Sequence, residues 1–144
     1  MRRMLYAVAA VLVVADRDVA AQVRPVDPPR PCAGASAVLP AVDTTVDVGG
    51  GKPPTWLRQV ASGGPRYPIE QRNARMQGDV RVSFVVDTTG KIIRGTAEVV
   101  AESHRAFSQS VCEFLRSARF APVVLDGQPR IVRVTNQRFL FETR

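Results

Sequence analysis

The stretch from Val80 to Gly90 constrains the fold most. Val80, Val82, Phe84 and Val86 alternate with Arg81, Ser83 and Val85, and Asp87-Thr88-Thr89-Gly90 follows at once. A period of two places the first set on one face of a β-strand. An aspartate at the start of the turn can bond the turn backbone, and a glycine at its end takes the positive φ that closes a hairpin. The strand must therefore return, and Lys91 to Val100 is the expected return, with Ile93, Gly95, Ala97 and Val99 on one face. The small residues in that row leave room for a helix to lie close.

Two helices are expected to cover that face. Pro68 suits a first helical position, Ile69 to Gln77 can form two turns, and Gly78 is expected to stop them. Ser103 is the expected N-cap of a second helix. Phe107, Val111, Phe114, Leu115 and Ala118 then fall on one helical stripe, which Phe120-Ala121-Pro122 ends. Asp126-Gly127 makes a turn, and Arg130 to Glu142 is a long final strand. Its alternation slips, because Val132 and Val134 keep one phase and Phe139 and Phe141 the other. A bulge between Thr135 and Arg138 would return both pairs to one face. The order helix-strand-strand-helix-strand predicts an α+β two-layer sandwich with a three-stranded antiparallel sheet and helices on one face. Aromatic residues are only 6% of the chain, so the core must rest on Val, Ile, Leu and Ala.

In front of this domain, expected over 55–144, lie two segments of other character. Arg2 and Arg3 precede the apolar run Met4 to Ala15, and Val19-Ala20-Ala21 supplies small residues before Gln22. Residues 1–21 read as a secretory signal cut before Gln22, with a short uncleaved anchor as the alternative. The run is well below the roughly 20 residues that cross a bilayer. Residues 22–54 hold seven prolines and the run Gly49-Gly50-Gly51, with no periodic apolar face, and read as a linker that does not pack. Thr55 to Ala61, with Trp56, Leu57 and Val60, is either a helical turn docking on the domain or an ordered loop anchored by Trp56. Whether the signal is cut or stays as an anchor, the remainder of the chain is expected to be exported. The net charge of +7 comes from basic residues interleaved with acids rather than in a block, so nucleic acid is not an expected partner.

The chain offers no catalytic constellation. His104 is the sole histidine, which excludes a multi-histidine metal site within one chain. Its neighbours Glu102 and Ser103 are too close in sequence for a triad and lack a nucleophile turn, so packing at the helix start is the reading. Asp79 and Glu98 read as solvent-facing strand positions, and Asp87 belongs to its turn. Gly49-Gly50-Gly51-Lys52 lacks the strand, helix and hydroxyl residue of a phosphate loop. No catalytic residue, metal or cofactor is expected. Cys32 and Cys112 leave two readings open. They pair in an oxidising compartment and tie the leader to the domain, or Cys112 is free and half-buried while Cys32 is exposed.

A three-stranded sheet has two edges, each with a row of unpaired amides and carbonyls. An open edge can take an extended peptide as an added strand. Here particular residues carry a resemblance. Tyr67-Pro68, the run Gly78-x-Val80-x-Val82-x-Phe84-x-Val86-Asp87-x-x-Gly90, the helix Phe107 to Leu115, Arg119-Phe120-x-Pro122, Gly127-x-Pro129 and Phe139-x-Phe141 stand in order. Residues 65–142 resemble the C-terminal domain of the TonB family. The resemblance implies a periplasmic domain that grips the N-terminal "TonB box" peptide of outer-membrane receptors by adding it to the edge of the final strand. Carried onto this sequence, the partner-binding residues are Arg130, Val132, Val134, Asn136 and Arg138, together with Gly64, Pro65, Arg66 and Tyr67. Family members that transduce energy have a longer membrane-spanning segment that engages a proton-driven inner-membrane motor, and a longer proline-rich spacer. The short apolar segment here leaves a second reading beside energy-coupled transport: a non-energised adaptor or assembly module that binds peptides or dimerises through its edge strand.

Overall fold

The expected inner face is realised, with Val80, Val82 and Val86 completely buried and Phe84 1% exposed, but Val85 and Ser83 on the opposite face are buried too, at 1% and 5%. The computed structural model describes residues 22–33, 38–49, 54–60 and 63–143. The expected signal at residues 1–21 lies outside the described residues. The elements, in chain order, are β1 (Arg24–Pro31), β2 (Thr44–Asp47), α1 (Ile69–Asn73), β3 (Gly78–Val86), β4 (Glu98–Glu102), α2 (Arg105–Ser117), β5 (Val124–Leu125), β6 (Gln128–Pro129) and β7 (Val132–Phe141). From α1 onward this is the expected α+β order, with β5 and β6 forming a small hairpin on the Asp126-Gly127 turn.

The main sheet has five strands rather than three, in the order β1-β4-β3-β7-β2. The two extra strands come from the segment expected to be an unpacked linker, and they occupy both outer positions. β1 runs antiparallel to β4, with Arg24 opposite Glu102 and Pro31 opposite Glu98. Its prolines are tolerated because an edge strand needs only part of its amides for the ladder. Three contacts hold it. Cys32 is bonded to Cys112 of α2, closing a separation of 80 residues. The Cys32 amide donates to the Ala97 carbonyl at 2.9 Å. Arg30 grips Glu102 through both guanidinium nitrogens, at 3.2 and 2.5 Å, and also donates to the Ser108 hydroxyl. Burial acts to raise the Glu102 pKa, but the hydrogen bonds from Arg30 and Ser108 and the nearby positive charges outweigh it, so the carboxyl titrates below its usual range.

The core lies between the sheet and α2. Phe107 and Val111 are fully buried, Leu115 is 3% exposed and Ala118 is 1% exposed, while Phe114 is half-buried against Phe139. The cap of α2 falls one residue later than expected. His104 accepts from the Ala106 amide through Nδ1 at 3.1 Å, whereas the Ser103 hydroxyl is taken by β3, accepting from Asp79 N and donating to Asp79 O. Gly78 opens β3 instead of ending α1, which stops earlier, with Arg75 at φ 52°. Glycine is required at position 78 because a Cβ would lie 2.0 Å from the Ser103 hydroxyl and 2.9 Å from the Phe107 ring.

The return of the hairpin is interrupted. Asp87 organises its turn as expected, accepting through Oδ1 from Thr89 N and Lys91 N, with Gly90 at φ 84°. Pairing then breaks after Ile92, and β4 begins only at Glu98. The hydroxyl of the buried Thr96 fills the gap in the ladder, accepting from Val85 N and donating to Ile93 O. Trp56 and Leu57 form a turn, not a helix, and Leu57, 6% exposed, is the deeper anchor.

Candidate strand-binding edge

β7 is built to be the long strand of the sheet. Its first half pairs with β3 through Val132, Arg133 and Val134, its second through Gln137 to Phe141, and the register shifts between them. Thr135 and Asn136 fill the shift, with Asn136 at φ 58°, a left-handed conformation that asparagine adopts more readily than most residues. The bulge does what the slipped alternation requires. Val132 and Val134 are fully buried, and Phe141, 3% exposed, reaches the same core.

The flank of β7 that faces away from β3 is half covered. β2 lies along it in parallel, Thr44 to Asp47 opposite Val132 to Thr135. Asp43, just before β2, donates its amide to Ile131 O at 2.9 Å and accepts from Ile131 N through Oδ2 at 2.7 Å. Its other oxygen stands 4.0 Å from Arg130 Nη1. Val46 packs against the core and its carbonyl accepts from the Thr135 hydroxyl at 3.3 Å. Val48 is 5% exposed and donates its amide to Thr135 O at 3.0 Å. Asp47 accepts from Gly49 N and from Asn136 Nδ2, each at 2.8 Å, and these two bonds hold its carboxyl below the usual range. Beyond Thr135, no described strand pairs with this flank of Gln137 to Phe141.

The expected site residues therefore divide. Arg130, Val132, Val134 and Asn136 are together along the edge, and all are engaged by β2 or the segment beside it. Arg138 has a structural partner: its Nε donates to Asp79 Oδ2 at 2.5 Å. Asp79 is 2% exposed, so its reading as a solvent-facing position is corrected. Near the start of β3, opposite Leu140 of β7, it is shielded from water and accepts from Arg138. Gly64 and Arg66 line a shallow hollow on α2 with Ser110, Glu113 and Phe114, and the Arg66 carbonyl accepts from the Ser110 hydroxyl. Pro65 between them is half-buried. Tyr67 meets Phe107 and Phe141 edge-on, at 5.6 and 5.5 Å between ring centres, and its hydroxyl donates to Met76 O. This second group borders the far end of β7, away from the stretch β2 covers.

Sequence reasoning missed Asp43, Thr44, Val46 and Asp47. Their signal was present: Thr44-Thr45-Val46-Asp47-Val48 is a short β-branched run between Pro40 and Gly49. Among the described residues no cluster of His, Cys, Asp and Glu could hold a metal ion, and no helix is long and apolar enough to cross a membrane.

No curated protein matches the chain. Among solved structures, the solution NMR structure of the Pseudomonas aeruginosa TonB CTD is similar at 22% identity, over 63% of this chain and 90% of that one, with a TM-score of 0.49. A family model described as the Gram-negative bacterial TonB protein C-terminal matches residues 63–143, which leaves β1 and β2 outside the matched stretch. With that match running from the segment before α1 to the end of β7, the chain belongs to the TonB C-terminal family.

Proposed function

We propose that this chain is a periplasmic TonB-like protein that binds the extended N-terminal box peptide of an outer-membrane receptor as an added strand on β7, in support of energy-coupled transport across the outer membrane. One observation carries the reading. The outer flank of β7 accepts a parallel strand, because β2 already lies there in register over Val132 to Thr135. An edge that takes a strand in cis has the spacing, the outward-facing amides and carbonyls and the side-chain hollows to take one in trans once that strand is away. The exported location is supported by the Cys32–Cys112 bridge, since structural disulfides persist in oxidising compartments. Binding of this kind is recognition, not catalysis, and asks for no cofactor.

The test is titration of the isotope-labelled full chain with a synthetic receptor box peptide, read by amide chemical shifts. Shifts centred on Arg130 to Phe141, with modest affinity, are the expected result. A peptide that binds but moves only amides of α2 and the Gly64 to Tyr67 segment refutes edge addition. A proline at Arg133, whose amide lies on the outer flank with the backbone groups of Ile131 and Thr135, should weaken binding by removing a ladder amide, with folding checked by its melting curve.

A further inference from the structure

The segment that covers half of β7 is short, and it is marked by the chemistry of what it touches. On the β7 side stand the Ile131 amide, the Arg130 guanidinium, the Thr135 hydroxyl and the hollows that receive Val46 and Val48. All belong to the matched domain or to the core beneath it. On the other side, the Asp43 carboxylate meets the Ile131 amide and the Arg130 guanidinium, the Val46 carbonyl accepts from the Thr135 hydroxyl, and the β-branched side chains of Val46 and Val48 fill the hollows. β2 itself is four residues long, and Gln137 to Phe141 beyond it carry no described strand on their outer flank.

From this juxtaposition, and resting on the edge-addition reading above, we infer that β2 is an internal stand-in for the partner strand. The partner is an extended peptide running parallel to β7. It carries a carboxylate in the place of Asp43 and β-branched apolar residues in the places of Val46 and Val48. It takes the place of β2 along Val132 to Thr135.

Three features support exchange over permanent closure. The contacts of β2 are few and lie at an edge, where local opening is least costly. Asp43 and Asp47 are exposed, so their bonds compete with water. The leader is held on both sides of β2, by the Cys32–Cys112 bridge and by the buried Leu57, so β2 can leave the edge without the domain losing its attachment. The same tethering keeps the displaced strand close, at an effective concentration on the order of millimolar. The edge is therefore selective: a partner's apparent affinity is its intrinsic affinity reduced by the fraction of time β2 is away. A weakly complementary peptide does not gain entry, and one that reproduces the Asp43, Val46 and Val48 contacts does.

The experiment uses the full chain and a synthetic peptide with the sequence of residues 42–49, beside a scrambled control. The chain is compared with a variant carrying Asp43→Ala and Val46→Gly, which loosens β2 and leaves β7 untouched. The variant is expected to bind the peptide about tenfold more tightly than the unmodified chain, with shifts along β7 and none from the scrambled peptide. Asp47→Ala, a change at an exposed position that leaves the core intact, should give a smaller gain of about two- to fivefold. Equal affinity in all three proteins, with binding still mapped to β7 by the receptor box peptide, overturns the exchange and leaves the proposed function standing. Dimerisation of the loosened variant without peptide binding overturns it in favour of strand swapping between copies. Failure of both peptides to bind the loosened variant overturns this inference and the edge-addition reading together.

Discussion

Breaking the Cys32–Cys112 bridge is the most exacting test of the claim that the leader belongs to the folded unit. The bond joins residues 80 apart, and the sulfurs link the end of β1 to the middle of α2. In the chain-entropy account, a closed loop of that length removes roughly 15 cal/mol/K from the unfolded ensemble, or about 4.5 kcal/mol at 25 °C. Native bridges usually contribute about 2–5 kcal/mol when removed. For a domain of this size that corresponds to a fall in Tm of about 8–20 °C. The bridge also sets the register of β1, because Cys32 N bonds Ala97 O and Arg30 reaches Glu102 only while the strand is in place. The assay is a pair of thermal melts by circular dichroism, one of the oxidised chain and one of the Cys32→Ser, Cys112→Ser double variant. Alkylation and mass analysis of the oxidised sample verify that no thiol is free. A fall below about 3 °C would refute the reasoning, since neither loop closure nor the docking of β1 would then contribute to the folded state.

Three further outcomes are expected. Arg138→Ala removes the partner of Asp79, 2% exposed, and, because Arg138 itself is 53% exposed, should destabilise the chain by about 1–3 kcal/mol in urea unfolding, with Arg138→Lys recovering part of the loss. Gly78→Ala forces a methyl against the Ser103 hydroxyl and the Phe107 ring and should cost about 1–3 kcal/mol, measurable in the same titration. The Glu102 carboxyl is depressed when folded, so its pairing with Arg30 stabilises the fold fully above the ordinary glutamate pKa and is lost as pH falls through the lower folded value. Arg30→Ala should therefore flatten the acid limb of the stability curve and leave the shape near neutrality unchanged, which a series of melts across pH 2–6 checks.

The central elements were legible because each obeys a local rule. The row Val80 to Val86, the stripe from Phe107 to Ala118 and the Asp87 turn follow a period of two, a period of 3.6 and a side-chain bond to a turn. Even the bulge was readable, since the phase slip between Val134 and Phe139 has one economical solution and Asn136 stands where the backbone turns left-handed. Smaller misreadings arose where two groups competed for one partner. Ser103 has the composition of a cap, but β3 takes its hydroxyl and His104 caps α2. Lys91 to Val100 has the composition of a strand, but the turn at Gly95 and the Thr96 hydroxyl break it.

The edge was half legible. Arg130, Val132, Val134 and Asn136 were identified on the outer strand, and the structure brings them together on one flank. That the flank is covered was not, because prolines and glycines in residues 22–54 signal weak local preference, and local preference is all that a short window reports.

The sequence by itself determined the α+β core from residue 69 onward, since its periodicities bury one face of each element whatever else the chain does. Only the tertiary structure decided the fate of the leader. β1 and β2 have no apolar periodicity strong enough to form alone. They exist as strands because β4 and β7 present rows of amides and carbonyls, and because Cys112, Glu102, Ile131 and Asn136 meet them across gaps of 70 residues or more. A strand whose hydrogen bonds all go to distant chain is written in its neighbours, and becomes visible only when the fold sets them side by side.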